Sequence, residues 1–299
     1  MNLLITGGSG LIGSKLVKHI KAENQLTILT RNPKISEEKL GSGLTYISSL
    51  EHLSNLNDFD GVINLAGEPI VNKRWSCEQK TILENSRWEM TKKLGSLCVA
   101  SQTPPKFFIS GSAIGFYGRQ DVQIIDENFD KPNKEYSHSL CATWEKLALD
   151  IETEETRVCV LRTGIVLARD GGALEKMQLP FKLGLGGPIG AGDHYMSWIH
   201  IDDMVRGIVH LIDNAGCTGI YNFTAPEPVT NKQFSKAFAS ALHRPCILFT
   251  PKLALKLAMG EMADLLIYGQ RVIPMRLQES GFQFKCAKIE DAFTDLYKD

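Results

Sequence analysis

The sequence has no long apolar run, no excess of one charge sign and no recognisable sorting segment. None of its apolar stretches approaches the ~20 residues that a membrane-spanning helix requires, so we expect no membrane span. A formal net charge of -1 over 299 residues gives no overall field that favours nucleic acid or an anionic membrane, and neither is expected as a partner. The chain starts with a strand pattern and not with a basic segment and cleavage site, which predicts a cytoplasmic protein without a secretory signal.

Paired cysteine motifs, internal repeats and low-complexity segments are also missing. The seven cysteines are scattered and include no C-x-x-C spacing. This usage is typical of reduced thiols in a cytosolic protein, and we expect no metal site. A hydrophobic content of 43% is sufficient for the core of one large domain or two unequal ones.

What the chain does contain is a glycine-rich turn at its beginning. Residues 2–5 are apolar enough for a buried strand, Gly7, Gly10 and Gly13 follow at intervals of three, and apolar residues then recur at helical spacing. A strand, a glycine turn and a helix in this order bring backbone N–H groups against a phosphate. Gly7 would make the tight turn, Gly10 would admit a pyrophosphate and Gly13 would let the helix pack on the strand. We therefore predict a dinucleotide site; the alternative is a purely structural turn.

The end of the second predicted strand, residues 25–30, indicates which dinucleotide binds. Thr30 and Arg31 stand where proteins that prefer NAD place an acid for the ribose 2′-OH, and no acid follows before Glu37. Arg31 is therefore our candidate for the 2′-phosphate of NADP. The alternative is a solvated loop arginine.

Strand and helix patterns continue to alternate after this point. Strands are predicted at residues 44–47, 59–65, 106–110 and 157–163, and helices within 75–101 and from residue 144. Such alternation predicts an α/β fold with a doubly wound parallel sheet of the Rossmann type. The polar stretch 121–134 is expected to be a surface loop.

The pattern changes after Gly164, and we divide the chain near this residue. Residues 1–165 are predicted to form an NADP-binding Rossmann domain, to which a later strand and helix from about 195–223 contribute. Residues 166–299 are predicted to form a smaller substrate-side region and a C-terminal extension. The glycine-rich run 184–192 is interpreted either as a second phosphate loop or as a lid over the substrate cleft.

Several polar residues outside the glycine turn have two readings each. His200 lies in an apolar run and is expected to be a buried core histidine; the alternative is a catalytic one. Asp202 or Asp203 is expected to be the N-cap of the next helix and to anchor a loop by a salt bridge; the alternative is a functional pair of carboxylates. Arg162 is expected to form a structural ion pair, whereas a role for Arg271 in gripping an anionic substrate stays open. His194 and Tyr195 are expected on a surface loop.

Three motifs resemble the extended, epimerase-like branch of the short-chain dehydrogenase/reductase superfamily. Residues 6–13 match its T-G-x-x-G-x-x-G signature, residues 110–118 resemble its strand-five serine motif, and residues 198–203 are similar to its h-h-V-D-D motif. A more specific resemblance covers essentially the whole chain and is to the YfcH-type epimerase family proteins, an atypical branch. The runs that carry it are residues 64–70, 73–75, 161–167, 180–190 and 269–274.

The resemblance implies NADP(H) as cofactor and a set of residues around it. The turn around the pyrophosphate would comprise Gly7, Ser9, Gly10, Leu11, Ile12 and Gly13. Thr30 and Arg31 would hold the 2′-phosphate, and the cofactor would be lined by Leu65, Ala66, Gly67 and Glu68. Arg87, which by spacing alone could equally be a surface arginine, would point at the cofactor, and Val166 would border the nicotinamide end. The group also carries a C-terminal extension of unknown function, here residues 245–297.

One departure from the superfamily puts the usual chemistry in doubt. Active members use Tyr-x-x-x-Lys, in which the lysine lowers the pKa of the catalytic tyrosine. Here Ser137 and Cys141 take these positions, and Leu140 stands four residues after Tyr136. An acid/base role would fall to one of four candidates, and these are Ser112, Tyr117, Tyr136 and His138.

The functional prediction is therefore an NADP(H)-binding, epimerase-like oxidoreductase whose substrate is a small molecule, with a nucleotide sugar considered. Whether it is an enzyme is left open because the dyad is missing. The alternative is a non-catalytic, NADP(H)-responsive regulatory or binding protein, related to cell division. The oligomeric state is also left open, with a homodimer considered.

Overall fold

The computed structural model describes residues 1–298, and strands and helices alternate along most of them. The strands are β1 (Asn2–Thr6), β2 (Gln25–Leu29), β3 (Thr45–Ile47), β4 (Gly61–Asn64), β5 (Phe107–Ala113), β6 (Ile124–Ile125), β7 (Arg157–Thr163), β8 (Ile165–Ala168), β9 (Tyr195–Met196), β10 (Trp198–His200), β11 (Gly219–Phe223), β12 (Val229–Thr230) and β13 (Arg271–Val272). The α-helices are α1 (Leu11–Ile20), α2 (Pro33–Leu40), α3 (Cys77–Val99), α4 (Tyr136–Leu149), α5 (Gly172–Lys182), α6 (Ile201–Asp213), α7 (Asn231–Ala241), α8 (Lys252–Met259), α9 (Asp264–Ile267), α10 (Met275–Glu279) and α11 (Ile289–Tyr297).

A parallel sheet of seven strands forms the centre, in the order β3-β2-β1-β4-β5-β7-β11. Its inner strands read as continuous apolar runs because helices cover both faces, as parallel sheets require. One apolar core lies between the sheet and α1 and α6, and a second lies between the sheet and α3 and α4. The predicted α/β fold with a doubly wound parallel sheet is thereby confirmed.

The chain order reverses between β1 and β4, and this reversal positions the functional site. From β1 the sheet grows through β2 to β3 on one side and through β4 to β5 on the other. A crevice opens at the carboxyl ends of the strands where the order of a doubly wound sheet reverses, and ligands bind there.

A separate apolar core holds the last third of the chain together. Phe181 of α5, Phe234 and Phe238 of α7 and Phe293 of α11 lie within it and are buried. The rings of Phe238 and Phe293 stack with centroids 5.1 Å apart. The C-terminal residues therefore complete a core and are not an appended tail.

Several boundaries and contacts differ from the sequence predictions. The helix expected from residue 144 begins at Tyr136, because the polar residues of its first turns lie among buried neighbours. The expected surface loop 121–134 contains β6, which pairs with β13 through contacts that sequence spacing cannot show. His194 and Tyr195 are half-buried and not loop surface, since β9 pairs with β12.

The predicted N-cap of α6 was wrong. Asp202 and Asp203 lie in the first helical turn, and the cap is His200, whose Nδ1 accepts a hydrogen bond of 3.1 Å from the Asp202 N–H. His200 is buried, as expected for a core histidine. Asp203 does anchor a loop, since its carboxylate accepts bonds of 2.8 Å from the backbone N–H groups of Lys285 and Cys286.

No helix within residues 1–298 combines the length and the hydropathy that crossing a bilayer requires.

Candidate functional site

A cavity of about 970 Å³ opens where β1, β2 and β4 end. Nine of the residues expected around a cofactor line it, namely Gly7, Ser9, Gly10, Thr30, Arg31, Leu65, Ala66, Gly67 and Glu68. Leu11, Ile12, Gly13, Arg87 and Val166 do not form its wall. The cavity lies at the reversal of strand order, where the doubly wound architecture predicts a ligand.

The glycines of the first turn have the geometry that close backbone approach requires. Gly7 has a φ of +69°, and a Cβ there would lie 2.5 Å from the Leu65 carbonyl oxygen, so a side chain is excluded. A Cβ on Gly13 would collide with the carbonyl oxygen of Gly7, which shows that α1 packs directly on the turn. Gly10 is the N-cap of α1, so the first N–H groups of the helix face the cavity side of the turn. Such an N-terminus attracts a phosphate.

Three cations line this cavity, Arg31, Lys39 and Lys93, and two of them have partners on its wall. The Arg31 side chain is 96% exposed, and its Nη1 lies 3.9 Å from Oε2 of Glu68, on the opposite wall. Lys39 of α2 donates a hydrogen bond of 2.6 Å from Nζ to the carbonyl oxygen of Ser9 in the glycine turn. Lys39 was not predicted, because 30 residues separate it from Ser9 in the sequence. The sequence did place it on the helix that follows β2, one turn after Ile35, which also lines the cavity.

The polar end of β2 is ordered by short local bonds. The hydroxyl groups of Thr30 and Ser36 lie 2.6 Å apart, and Asn32 caps α2 by accepting a bond from the Ile35 N–H. These bonds fix the backbone that follows β2, so that the segment with Thr30 and Arg31 runs along the cavity wall.

Arg87 lies behind the cavity wall. Its Nη2 donates to the Glu68 carbonyl oxygen at 2.9 Å, and its guanidinium lies 5.3 Å from the centroid of the Trp144 ring. Burial lowers the pKa of Arg87. A Cβ on Gly67 would lie 3.0 Å from the guanidinium carbon, so Arg87 braces the segment that follows β4.

The remaining expected cofactor neighbours lie at the start of α1 and in β8. Leu11 packs under Gly171 and Gly172, where a Cβ would approach its side chain to 2.8–2.9 Å. Val166 pairs with Ile199 of β10 and packs against the core beneath α1. The beginning of α5 thus lies directly over the beginning of α1.

A buried polar network lies at the end of β5. The Ser112 hydroxyl donates to Oε1 of Glu145 at 2.6 Å, and Arg162 binds the same carboxylate with Nε at 2.9 Å and Nη2 at 2.8 Å. The predicted structural pairing of Arg162 is thus present in the structure. Glu145 and Arg162 have only 4% and 3% of their side chains exposed, so the pair holds α4 against the sheet.

Tyr117 is a core residue in this structure. It is fully buried, and its hydroxyl lies 2.7 Å from Oδ1 of Asn222 and accepts a bond from Nη1 of Arg162. Burial raises the pKa of Tyr117 to about 12. With its hydroxyl fully engaged, Tyr117 no longer stands among our acid/base candidates.

Tyr136 and His138 lie in the first turn of α4. The Tyr136 hydroxyl donates to the Lys80 carbonyl oxygen at 3.2 Å, and burial raises its pKa to about 12. His138 Nδ1 lies 2.5 Å from the Phe116 carbonyl oxygen. A carbonyl oxygen can only accept, so Nδ1 carries the proton and Nε2 of the neutral ring keeps its lone pair.

The two positions of the missing dyad are both buried. Ser137 donates to Oε1 of Glu135 at 3.0 Å, and Cys141 lies beneath the 3₁₀ turn Ile114–Tyr117. Burial raises the pKa of Cys141 to about 12, so the thiol is neutral near pH 7. It supplies neither the positive charge nor the depressed tyrosine pKa that a lysine would give.

Comparisons with known proteins agree with this architecture. The sequence matches the NAD dependent epimerase/dehydratase family over residues 3–223 and a domain of unknown function, DUF1731, over residues 250–296. The epimerase family protein SA0724 of Staphylococcus aureus is 38% identical over 298 residues, which are 99% of each chain.

Two solved structures add to these matches. The human epimerase family protein SDR39U1 (isoform 2), crystallised with NADPH, is 32% identical, with a TM-score of 0.92 over the whole of both chains. A nucleoside-diphosphate sugar epimerase from Corynebacterium glutamicum is 27% identical, with a TM-score of 0.78 over 99% of this chain and 58% of its own. The resemblance read from the sequence motifs is confirmed, and this chain belongs to the NAD dependent epimerase/dehydratase family.

Proposed function

We propose that the chain binds NADP(H) in the cavity and transfers hydride at a carbon that bears oxygen, in a reduction or an epimerisation. The observation that carries this proposal is the meeting of the glycine turn and Arg31 on one cavity. The human relative crystallised with NADPH supports the same cofactor. When bound, the cofactor would supply or accept the hydride.

The residues present fit the phosphates of this cofactor. The N-terminus of α1 and the turn at Gly7 and Gly10 would hold the pyrophosphate by backbone N–H groups. Thr30 and Arg31 would hold the adenosine 2′-phosphate, and Lys39 adds a second positive charge at the turn. Glu68, 3.9 Å from Arg31, would lose this partner to the phosphate, whose charge is larger.

Leu11, Ile12 and Gly13 would act through the packing of α1, while Leu65, Ala66 and Gly67 would form the wall along the cofactor. Arg87 would hold this wall in place from behind through its bond to the Glu68 carbonyl oxygen. Val166 would border the nicotinamide end of the cofactor.

Proton transfer would need a group other than the missing dyad. His138 is our first candidate for the base, because the Phe116 carbonyl oxygen fixes the tautomer with an open Nε2. Tyr136, whose pKa is raised to about 12 by burial, is protonated near pH 7 and could only donate. Ser112 would orient a substrate oxygen, with Glu145 fixing the direction of its hydroxyl proton.

The substrate would be a small molecule, and a nucleotide sugar is one candidate class. The Corynebacterium relative is a nucleoside-diphosphate sugar epimerase, and structures similar in fold include a UDP-glucuronic acid 4-epimerase with its substrate and NAD. The second of these is 16% identical and supports the fold alone.

A second candidate function is a non-catalytic protein that responds to NADP(H). The buried Ser137 and the neutral Cys141 at the dyad positions favour it. Incubation with NADPH labelled at C4 and a panel of carbonyl compounds and sugar nucleotides separates the two. Transfer of label to any product supports the enzyme, whereas bound cofactor that never loses label supports the regulator.

Binding of NADPH and NADH to the purified protein tests the cofactor proposal. We expect NADPH to bind more tightly, and Arg31→Ala to lower its affinity roughly tenfold or more, because a charge-assisted bond contributes about 1.5–3 kcal/mol. Lys34→Ala is the matched control, since Lys34 is an exposed cation of α2 that does not line the cavity. Equal affinities for the two cofactors, or an unchanged preference in Arg31→Ala, would contradict the proposal.

A further inference from the structure

Large apolar side chains are exposed in an unusual concentration on one part of this molecule. Six of them are more than half exposed, namely Leu183, Leu185, Ile247, Phe249, Leu253 and Leu257. They belong to the C-cap of α5, the glycine-rich run after it, the segment before α8 and α8 itself. A contiguous apolar area of this kind marks an interaction site on a soluble domain.

Backbone hydrogen bonds join these segments into one surface. The Thr250 N–H donates to the Pro188 carbonyl oxygen at 2.8 Å, and the Gly190 N–H donates to the Thr250 carbonyl oxygen at 2.9 Å. Arg244 Nε donates to the Lys182 carbonyl oxygen at 2.8 Å. Residues 182–190 and 244–250 therefore run side by side, and α8 follows them directly.

Helix α8 has no buried apolar face that would hold it against the rest of the molecule. None of its eight residues is buried, and Leu253 and Leu257, one helical turn apart, are 68% and 72% exposed. Lys252 and Lys256 repeat at the same spacing and are exposed as well. A short helix with leucines and lysines, both directed to solvent, is typical of an element that lies in an interface.

Charge decides which kind of partner fits. Residues 176–192 and 243–260 contain five Lys and Arg residues and no Asp or Glu, while the exposed acids Glu175, Asp193 and Glu261 adjoin these ranges and Glu261 pairs with Lys80. Lys176 is bonded to the loop at Val71, while Lys182, Arg244, Lys252 and Lys256 are exposed beside the apolar side chains. We call these four cations and the six apolar residues the apolar–basic surface.

A second copy of the chain fits this surface poorly, since a twofold contact would bring its cations together without a carboxylate. Protein interfaces are also depleted in lysine, which supplies three of the four cations. An anionic lipid surface accepts apolar insertion and spread positive charge at the same time, without a fixed geometry for each partner.

We propose that the apolar–basic surface binds anionic membranes at the lipid–water interface, with its Leu, Ile and Phe side chains among the acyl chains and its Lys and Arg side chains at the headgroups. The proposal departs from the expectation of no membrane partner, which was drawn from the net charge of -1 of the whole chain and from the lack of a long apolar run. Such binding requires no membrane-spanning helix, and it does not rest on the cofactor proposal.

Flotation of the full chain with lipid vesicles tests this inference. Vesicles of phosphatidylcholine alone are compared with vesicles that contain one third phosphatidylglycerol, at low and high salt. We expect flotation with the anionic vesicles and its loss as salt rises, because salt screens the attraction. Equal binding to both vesicles, or no binding to either, overturns the proposal.

Matched variants locate the contact. Lys252→Glu with Lys256→Glu should weaken binding at least ~25-fold, since each cation near an anionic leaflet contributes about a fivefold gain. Leu253→Ser with Leu257→Ser should weaken it on the order of tenfold through lost insertion. The controls are Lys18→Glu with Lys106→Glu for charge and Val99→Ser for apolar exposure, because all three side chains are exposed and belong to other parts of the chain.

The competing partners have distinct outcomes. Light scattering that shows a dimer lost in Leu253→Ser with Leu257→Ser would overturn the proposal in favour of a second copy. Capture of an acidic protein by a chain that floats with no vesicle would overturn it in favour of a protein partner. NADPH binding by each variant reports an intact fold, so a failure to bind lipid leaves the cofactor proposal standing.

Discussion

At the residue scale, burial decides what the ionisable side chains can do. Glu145 and Arg162 are both almost inaccessible to solvent, and they form a bidentate ion pair. Glu145 also accepts a hydrogen bond from Ser112, and Arg162 donates one to Tyr117. A buried pair of this kind adds little net stability over apolar residues, but loss of one partner leaves an uncompensated charge. The network therefore fixes the conformation around the end of β5.

Glu145→Ala should lower the free energy of unfolding by about 3–5 kcal/mol, because the Arg162 guanidinium would be buried without a counterion. Asp150→Ala, at the C-cap of the same helix, is the control. It removes an exposed ion pair with Lys146 and should cost less than about 1 kcal/mol. Urea unfolding measures both, and similar losses in the two variants would contradict the assignment.

His194 predicts a pH dependence. Its Nδ1 is buried without a partner, and burial lowers its pKa to about 4. An unfolded histidine titrates near 6.5. Between about pH 6.5 and 4 the unfolded chain therefore takes up a proton that the folded chain refuses, and stability falls as the pH falls.

His194→Gln should flatten this part of the stability curve, whereas His19→Gln, at an exposed position on α1, should not. Proton NMR of the imidazole rings checks the cause directly. A midpoint for His194 near its unfolded value would show that the ring is solvated and would contradict the prediction.

At the element scale, the start of α6 joins the C-terminal segment to the sheet. His200 caps the helix, Asp203 accepts two backbone N–H groups from the segment before α11, and Lys285 bridges Asp202 and Asp295 with bonds of 2.9 and 3.0 Å. The bonds from Asp202 and Asp203 to Lys285 and Cys286 cross more than 80 positions of sequence, so they join elements that are distant in the chain.

Asp203→Ala should destabilise the fold by about 3 kcal/mol, since hydrogen bonds to a buried carboxylate contribute about 1.5–3 kcal/mol. Hydrogen exchange should rise in residues 283–297 before it rises in the central sheet. Asp202→Ala is the neighbouring control, with a carboxylate 43% exposed, and should cost less than about 1 kcal/mol. An equal effect of the two variants would show that the two backbone bonds are not the cause.

The sequence pattern predicted strands, helices and turns correctly where residues close together in the chain determine them. The continuous apolar run of β7 and the glycine turn at Gly7 were found because their signals lie within a few residues. The cap of α6 was missed because aspartates are the commoner caps, and only the buried setting of His200 gives its Nδ1 that place. Lys39 at Ser9 and β6 at β13 were missed because long-range contacts leave no local signal.

At the scale of the whole molecule, the apolar cores on the two faces of the sheet and the separate core of the last third of the chain stabilise the fold. The sheet and its helices carry the cavity, and a separate core of phenylalanines from α5, α7 and α11 holds the last third of the chain together. The sequence predicted the architecture from the order of strands and glycines, and it predicted nine of the residues that line the cavity from the glycine turn, the end of β2 and the family resemblance. It did not show that Tyr117 is buried, because the direction of that side chain depends on Asn222 and Arg162 far along the chain.

Phe293→Ala should lower the free energy of unfolding by about 3–5 kcal/mol, because Phe293 is buried against Phe234 and Phe238. Phe249→Ala removes the same atoms from a side chain that is 64% exposed, and it should stay within about 0.5 kcal/mol of the parent. Thermal unfolding compares them. A loss of unfolding free energy for Phe293→Ala as small as that for Phe249→Ala would show that the core around residues 250–296 contributes little to the stability of the fold.

The last strand of the central sheet reaches its place late in synthesis. β7 ends at Thr163, and its outer neighbour β11 begins only at Gly219. While the ribosome adds the intervening residues, the outer edge of β7 offers unpaired N–H and C=O groups to any other nascent chain. Messages truncated within codons 164–218 should therefore yield aggregates and not folded fragments, and chaperones that hold growing chains should matter most during that interval.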